Sequence, residues 1–149
     1  IQMKTKILYV LVSSEKDIYL EQAYISMYSA KYYMPDAHIT LLTDKATNET
    51  FHGIRAKEIE YVDETVVVDL DITKFNAQQR SRQLKTNARN YVDGDYLYID
   101  VDTIIVKPLY EIDEVEYSMA ACWDTHSDFE SNPYRWLALE HGKLLVLAY

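Results

Sequence analysis

The chain has 149 residues, 48% of them hydrophobic and 26% charged, with a formal net charge of −9. That composition suits a soluble globular domain with one core, and its acidic balance argues against nonspecific nucleic-acid binding. No apolar run approaches the roughly 20 residues of a membrane span, and the single cysteine, Cys122, precludes an intramolecular disulfide and points to a reducing compartment. Along the chain, Lys6 to Ser13 (KILYVLVS) predicts a near-continuous apolar strand of the kind covered on both faces in a parallel sheet. Asp17 is placed to cap a helix in which Leu20, Ala23, Tyr24, Met27, Ala30 and Met34 recur at helical spacing, and Pro35 stops it. Ile39 to Leu42 predicts a second strand ending at Thr43-Asp44, and a polar helical stretch follows from Asn48 to about Lys57. Thr65 to Leu70 (TVVVDL) predicts the third strand. Asn76 can cap a helix from Ala77, with Ser81, Leu84, Ala88 and Tyr91 as its buried stripe. Asp93-Gly94-Asp95 turns the chain into a fourth strand, Asp95 to Ile99.

Strands alternating with helices predict right-handed crossovers and a mainly parallel α/β sheet in a single domain, residues 1–149. Ligands of such sheets bind beyond the carboxyl ends of the strands. Ser13, Asp44, Asp69, Asp100 and Asp102 all fall at such ends. The most informative junction is Tyr96-Leu97-Tyr98-Ile99 running into Asp100-Val101-Asp102. Two carboxylates one residue apart, where a buried strand leaves the sheet, either mark its meeting with water or bind a cation. A hard divalent ion suits them, since Mg²⁺ commonly takes one or two carboxylates together with substrate phosphates.

The residues just before this junction favour the cation. From Ile72 to Val92 there is no Asp or Glu, yet the window carries Lys74, Arg80, Arg82, Lys85 and Arg89. On the predicted helix Arg82, Lys85 and Arg89 are three and four residues apart and share a face. Cations in the first turns oppose the helix dipole, so Arg80 and Arg82 are poor choices for stability alone. A basic face beside an acidic pair matches a metal-bridged diphosphate, with cations on the phosphates and carboxylates on the metal.

The blocks Ser81-Arg82-Gln83-Leu84-Lys85-Thr86, Gly94 through Asp102 (GDYLYIDVD) and Lys107-Pro108-Leu109 resemble the family-eight glycosyltransferases, the glycogenin and bacterial lipopolysaccharide galactosyltransferase relatives. The likeness extends to about Asp124 and is specific from Arg82 to Leu109. It implies the GT-A fold and transfer of a sugar from a UDP-sugar donor to a carbohydrate or glycolipid acceptor, with retention. It also implies Mn²⁺ or Mg²⁺ at Asp100 and Asp102, the donor diphosphate near Arg82 and Lys85, and the nucleoside near Ser13 and Asp44. The chain departs from the family at Ser13-Ser14, where relatives often carry an acidic residue. Neither His126 nor His141 falls where the family's later metal-shell histidine would. Trp136 to Tyr149 (WLALEHGKLLVLAY) is apolar and ends abruptly, so the chain is expected to be the donor-binding half without its acceptor portion. Ile1 and Gln2, ahead of Met3, are expected to be additions to the natural start, and the expected setting is the cytoplasm, free or peripheral at the inner membrane face.

Two alternatives stand beside this reading. One is a nucleotide-sugar-binding domain without turnover. The other rests on Val66-Val67-Val68-Asp69-Leu70-Asp71-Ile72-Thr73, which resembles the strand and D-x-D-x-T signature of haloacid-dehalogenase-like phosphatases, with Asp69 as nucleophile and Asp71 as general acid. Ile72 replaces the small residue usual there. The fourteen tyrosines suggest a carbohydrate platform, but Tyr9, Tyr24, Tyr28, Tyr32 and Tyr33 fit core or helix-flank positions, as Trp123 fits a core. His38 and His52 have no partners at ligand spacing.

Overall fold

The apolar run after Lys6 forms β1 (Lys6–Leu11), and β2 (Ile39–Asp44), β3 (Glu64–Val68) and β4 (Tyr96–Tyr98) build a sheet around it. The structure, a computed structural model, describes residues 2–121. Cys122, Trp123, His126, His141 and the segment from Trp136 to Tyr149 therefore lie outside the described residues. Contacts group the chain into Ile1–Glu114 and Val115–Tyr149; every element below belongs to the first. The helices are α1 (Tyr19–Tyr33), α2 (Lys45–Asn48), α3 (Ile54–Lys57) and α4 (Ala77–Thr86), with 3₁₀ turns at Ala88–Asn90 and Tyr110–Glu114. No helix among the described residues is long and apolar enough to cross a membrane.

Among the described residues the sheet has four strands in the order β3-β2-β1-β4, and every neighbouring pair is parallel. The expected α/β architecture is therefore present. The chain steps from β1 to β2 to β3 in one direction, then returns past β1 to reach β4. If each crossover is right-handed, that reversal moves the last helix to the opposite face. The packing agrees. Leu20, Ala23, Met27 and Ala30 of α1 pack with Ile7, Tyr9, Leu11, Ile39 and Leu41 on one face. Leu84 of α4 and the following Ala88 pack with Leu8, Val10, Val12 and Leu42 on the other. Burial of both faces explains why β1 is an almost unbroken apolar run. Each fully buried aliphatic side chain contributes about 1.5–3 kcal/mol relative to leaving it exposed.

Two predicted helices differ from those observed. The stretch expected from Asn48 to about Lys57 is two single turns. The first begins early because the Asp44 side chain accepts the Thr47 N–H, and Gly53 at φ +60° separates the second from it. A left-handed backbone at that position breaks a helix and suits glycine. In the second case, α4 starts where expected, with a reciprocal capping box between Asn76 and Gln79. It ends at Thr86, however, and a 3₁₀ turn follows. Tighter winding changes the phase, so Val92 rather than Tyr91 is buried, Tyr91 being 38% exposed. Asp17 caps α1 less directly than predicted, accepting the Tyr19 N–H at 3.1 Å and the Ser14 N–H at 2.8 Å.

Asp63 and Asp113 tie loops to the sheet and give the fold an acid limit. Asp63 accepts the Ile39 N–H and pairs with Lys31, both at 2.8 Å. Asp113 accepts the N–H groups of Lys4 and Thr5, both at 2.8 Å. Burial raises each carboxyl's pKa, but these bonds outweigh it and both settle below the ordinary value. A lowered folded pKa contributes stability that is present above the unfolded value, about 3.9, and is lost as pH falls through the folded one. Burial shifts Glu58 the other way, upward, so its contribution has the opposite sign. The urea midpoint is expected to fall steepest below about pH 4, and less steeply in an Asp63→Asn/Asp113→Asn variant. An unchanged slope in that variant would assign acid sensitivity to other groups.

Candidate functional site: the rim at β1 and β4

Because all four strands are parallel, their carboxyl ends share one edge. Strand order reverses between β1 and β4, and ligands of open α/β sheets bind outside the strand ends at such a reversal. β4 runs in register with β1, Leu8 opposite Tyr98, and Ile99 donates its N–H to the Leu8 carbonyl at 3.0 Å. Asp100 thus leaves the sheet beside the second half of β1.

Strand alternation puts Tyr98 and Asp100 on the α4 side. There Lys85 Nζ donates to Asp100 Oδ1 at 2.8 Å, and the Tyr98 hydroxyl donates to the same oxygen. Lys85 also sits over the Tyr98 ring, 5.7 Å from its centroid. Burial raises the Asp100 pKa, yet the Lys85 and Tyr98 bonds prevail and hold it below the ordinary carboxylate value. For Lys85, burial works against its charge but the Asp100 bond wins, leaving its pKa raised. Burial and the Asp100 bond push Tyr98 up to about 12.

The main chain of Asp100 is anchored from the other face. Its carbonyl accepts the Thr103 hydroxyl at 2.7 Å. That hydroxyl has one proton, so the 3.0 Å contact between Thr103 and Ser26 must be donated by Ser26. By the same count the 2.8 Å contact between Ser26 and Tyr9 is donated by Tyr9. Burial pushes the Tyr9 phenol up to about 12, which keeps its proton in place. Ile105 N–H to Ser29 Oγ, at 2.9 Å, holds the loop a little further on. A chain of hydroxyls from β1 through α1 therefore fixes the backbone that carries Asp100.

The other predicted residues are placed differently. Asp102 is exposed and makes no hydrogen bond among the described residues, and the same holds for the Arg82 guanidinium. Arg82 lies one turn nearer the α4 N-terminus than Lys85. Asp44 is fully buried, with both oxygens engaged: Oδ1 accepts the Thr47 N–H at 3.0 Å and Oδ2 accepts Arg80 Nε at 2.6 Å. Ser13 is buried too; its hydroxyl donates to Asp17 at 2.7 Å and accepts from Arg55 at 3.0 Å, and its N–H donates to Thr47 Oγ1 at 3.0 Å. Thr47 thus links Ser13 to Asp44, a connection that their spacing in sequence did not reveal.

The basic helix does not act as one face. Arg80 is the partner of buried Asp44 and also donates to the Phe75 carbonyl at 2.8 Å, so it serves the fold, contrary to the expectation from the helix dipole. Arg89 follows the end of α4, donates to the Gly94 carbonyl and covers the Tyr96 ring at 5.1 Å. Lys85 and Arg82 remain at the rim. Asp69 and Asp71 stand after β3, on the far edge of the sheet. Asp69 pairs with Lys45 at 3.6 Å, and Asp71 Oδ1 accepts the N–H and hydroxyl of Thr73. Of the tyrosines, Tyr9 is core, while Tyr24 stacks on Tyr61 with centroids 5.5 Å apart along the flank of α1.

The donor set suits a hard cation. Asp100 Oδ2 and both Asp102 oxygens carry no hydrogen bond among the described residues, and carboxylates are the ligands Mg²⁺ and Mn²⁺ prefer. No group of three acidic, cysteine or histidine side chains gathers among the described residues. A cation there would draw its remaining ligands from phosphate and water. Tyr98, Thr103 and Arg55 were missed by sequence reasoning, and Arg80, noted there for its charge, turned out to be the partner of Asp44. Only Tyr98 carried a local signal, being two residues before Asp100 on one strand face. The described residues form a parallel α/β domain with a polar rim where strand order reverses. No known family model matches the chain, and no curated protein matches it.

Proposed function

We propose that this chain is the nucleotide-sugar-binding half of a metal-dependent glycosyltransferase of GT-A fold, moving a sugar from a UDP-sugar to a carbohydrate or glycolipid acceptor with retention. The observation that carries the reading is the meeting of Asp100 with Lys85 at 2.8 Å beside exposed Asp102, where strand order reverses. Asp100 and Asp102 would hold Mn²⁺ or Mg²⁺, which when bound supplies Lewis-acid stabilisation of the departing diphosphate. Lys85 and Arg82 would bind phosphate oxygens and share the charge that develops there. The Thr103–Ser26–Tyr9 hydroxyls keep the Asp100 loop in place while the ligand exchanges. For retention the acceptor hydroxyl would approach the anomeric carbon from the face that the diphosphate leaves. Its oxygen would bond to that carbon as the carbon–diphosphate bond breaks, its proton passing to the departing diphosphate oxygen, so the protein need supply no nucleophile. Ser13 and Asp44, turned inward, would shape the floor near the nucleoside rather than contact it through free polar atoms. The proposed setting is the cytoplasm or its membrane face.

The position of Asp69 favours this reading over a phosphatase. Asp69 and Asp100 follow the two outermost strands among the described residues, with β2 and β1 between them, three strand spacings or about 14 Å apart. A nucleophile and its metal-binding carboxylate would have to meet.

Calorimetry of UDP with and without Mn²⁺ tests the reading. Metal-enhanced UDP binding is expected, and metal-independent binding would overturn it. Incubation with UDP-glucose, UDP-galactose and their N-acetyl forms then separates transferase from binding domain, since only the former releases UDP. Arg82→Ala should weaken UDP binding about tenfold or more, from the loss of a charge-assisted phosphate contact of about 1.5–3 kcal/mol. UMP should be less sensitive, and the denaturation midpoint nearly unchanged because Arg82 is exposed. Loss of stability with unaltered nucleotide affinity would make Arg82 structural.

A further inference from the structure

A carboxylate that is to hold a cation must present one oxygen in a fixed direction, and an aspartate at a strand end is otherwise free to turn. Asp100 is held twice. Its carbonyl is anchored through Thr103 and Ser26 from the α1 side. Its Oδ1 receives two donors from the α4 side, Lys85 Nζ at 2.8 Å and the Tyr98 hydroxyl. Oδ2 receives none among the described residues. Lys85 lies over the Tyr98 ring as well, so ring, ammonium and carboxylate form a closed triangle, and the tyrosine touches both other members.

We propose that Tyr98 is the positioning residue of the cation site, its hydroxyl locking Oδ1 of Asp100 so that Oδ2 is directed outward; this rests on Asp100 and Asp102 being the cation ligands. Lys85 is needed for phosphate in that reading and would leave Oδ1 when a nucleotide is bound. Tyr98 is the donor that stays, because it extends from the same strand only two residues away. Partners that orient a metal ligand through its second oxygen commonly govern affinity 10–100-fold.

Tyr98→Phe isolates the hydroxyl, since the ring beneath Lys85 is kept. Mn²⁺ uptake by the full chain is measured by electron paramagnetic resonance, with and without UDP, in the wild type, in Tyr98→Phe and in the control Tyr91→Phe. The expected result is a roughly tenfold loss of Mn²⁺ affinity in Tyr98→Phe alone, a broadened bound-Mn²⁺ spectrum and an unchanged urea midpoint. Mn²⁺ affinity within about twofold of wild type would overturn the role. So would a fall in stability that accounts for the whole loss, which would make the hydroxyl structural. A wild-type chain that takes up no Mn²⁺ overturns the cation reading itself and this role with it, a result distinct from failure of the tyrosine alone.

Discussion

Arg80→Ala is expected to destabilise the domain by about 3–5 kcal/mol, the usual cost of removing one partner from a buried ion pair. Asp44 is fully buried and the Arg80 side chain is 13% exposed, with Nε 2.6 Å from Oδ2. Without the guanidinium, Oδ2 would be left in the interior with no donor, and Phe75 would lose the bond to its carbonyl. In a domain of this length such a loss lowers the melting temperature by roughly 10 °C. Arg80→Lys should recover only part of it, because an ammonium cannot reach the carboxylate and the carbonyl with two separate donors. Asp44→Asn keeps an acceptor for Thr47, so pairing it with Arg80→Ala should cost less than the two single losses added. Urea denaturation of the four proteins measures this coupling. A loss below about 1 kcal/mol for Arg80→Ala would place the pair among surface bridges and remove its claim to hold α4 on the strand ends.

Asp102→Asn is expected to abolish the metal-dependent part of UDP binding, at least about 100-fold, since even outer partners of a metal ligand carry 10–100-fold. It is a cleaner probe than Asp100→Asn. Asp102 is exposed and bonded to nothing among the described residues, so its replacement leaves packing intact. Asp100→Asn also removes the ion pair with Lys85, and its effect would combine cation and phosphate terms. Asp69→Asn, across the sheet, should leave UDP binding unchanged. Calorimetry at fixed Mn²⁺ distinguishes the outcomes. Equal UDP affinity in wild type and Asp102→Asn would return the acidic pair to an ordinary solvent-facing strand end. Sensitivity to Asp69→Asn instead would revive the phosphatase reading.

What the amino-acid order determined by itself was local and periodic. The run Ile7 to Leu11 had to be a strand buried on both faces, because no polar residue interrupts it. Leu20, Ala23, Met27, Ala30 and Met34 had to line one side of a helix that Pro35 ends. Asn76 announced the start of α4, whereas Gly53, at φ +60°, broke the stretch expected as one helix into α2 and α3. The acidic pair at the end of β4 was visible for the same reason: charge adjoining an apolar run is a one-dimensional signal. Tertiary structure alone decided the rest. Placing β4 beside β1 brought Asp100 to the point where strand order reverses. Arg80 became a buried partner of Asp44, thirty-six positions away, rather than a phosphate ligand. Tyr9, Ser26 and Thr103 gave no pattern in the sequence, since each hydroxyl finds its partner only across a packed interface. Hydrophobic periodicity is set by the geometry of one element, whereas the partner of a polar group depends on which elements the chain brings together.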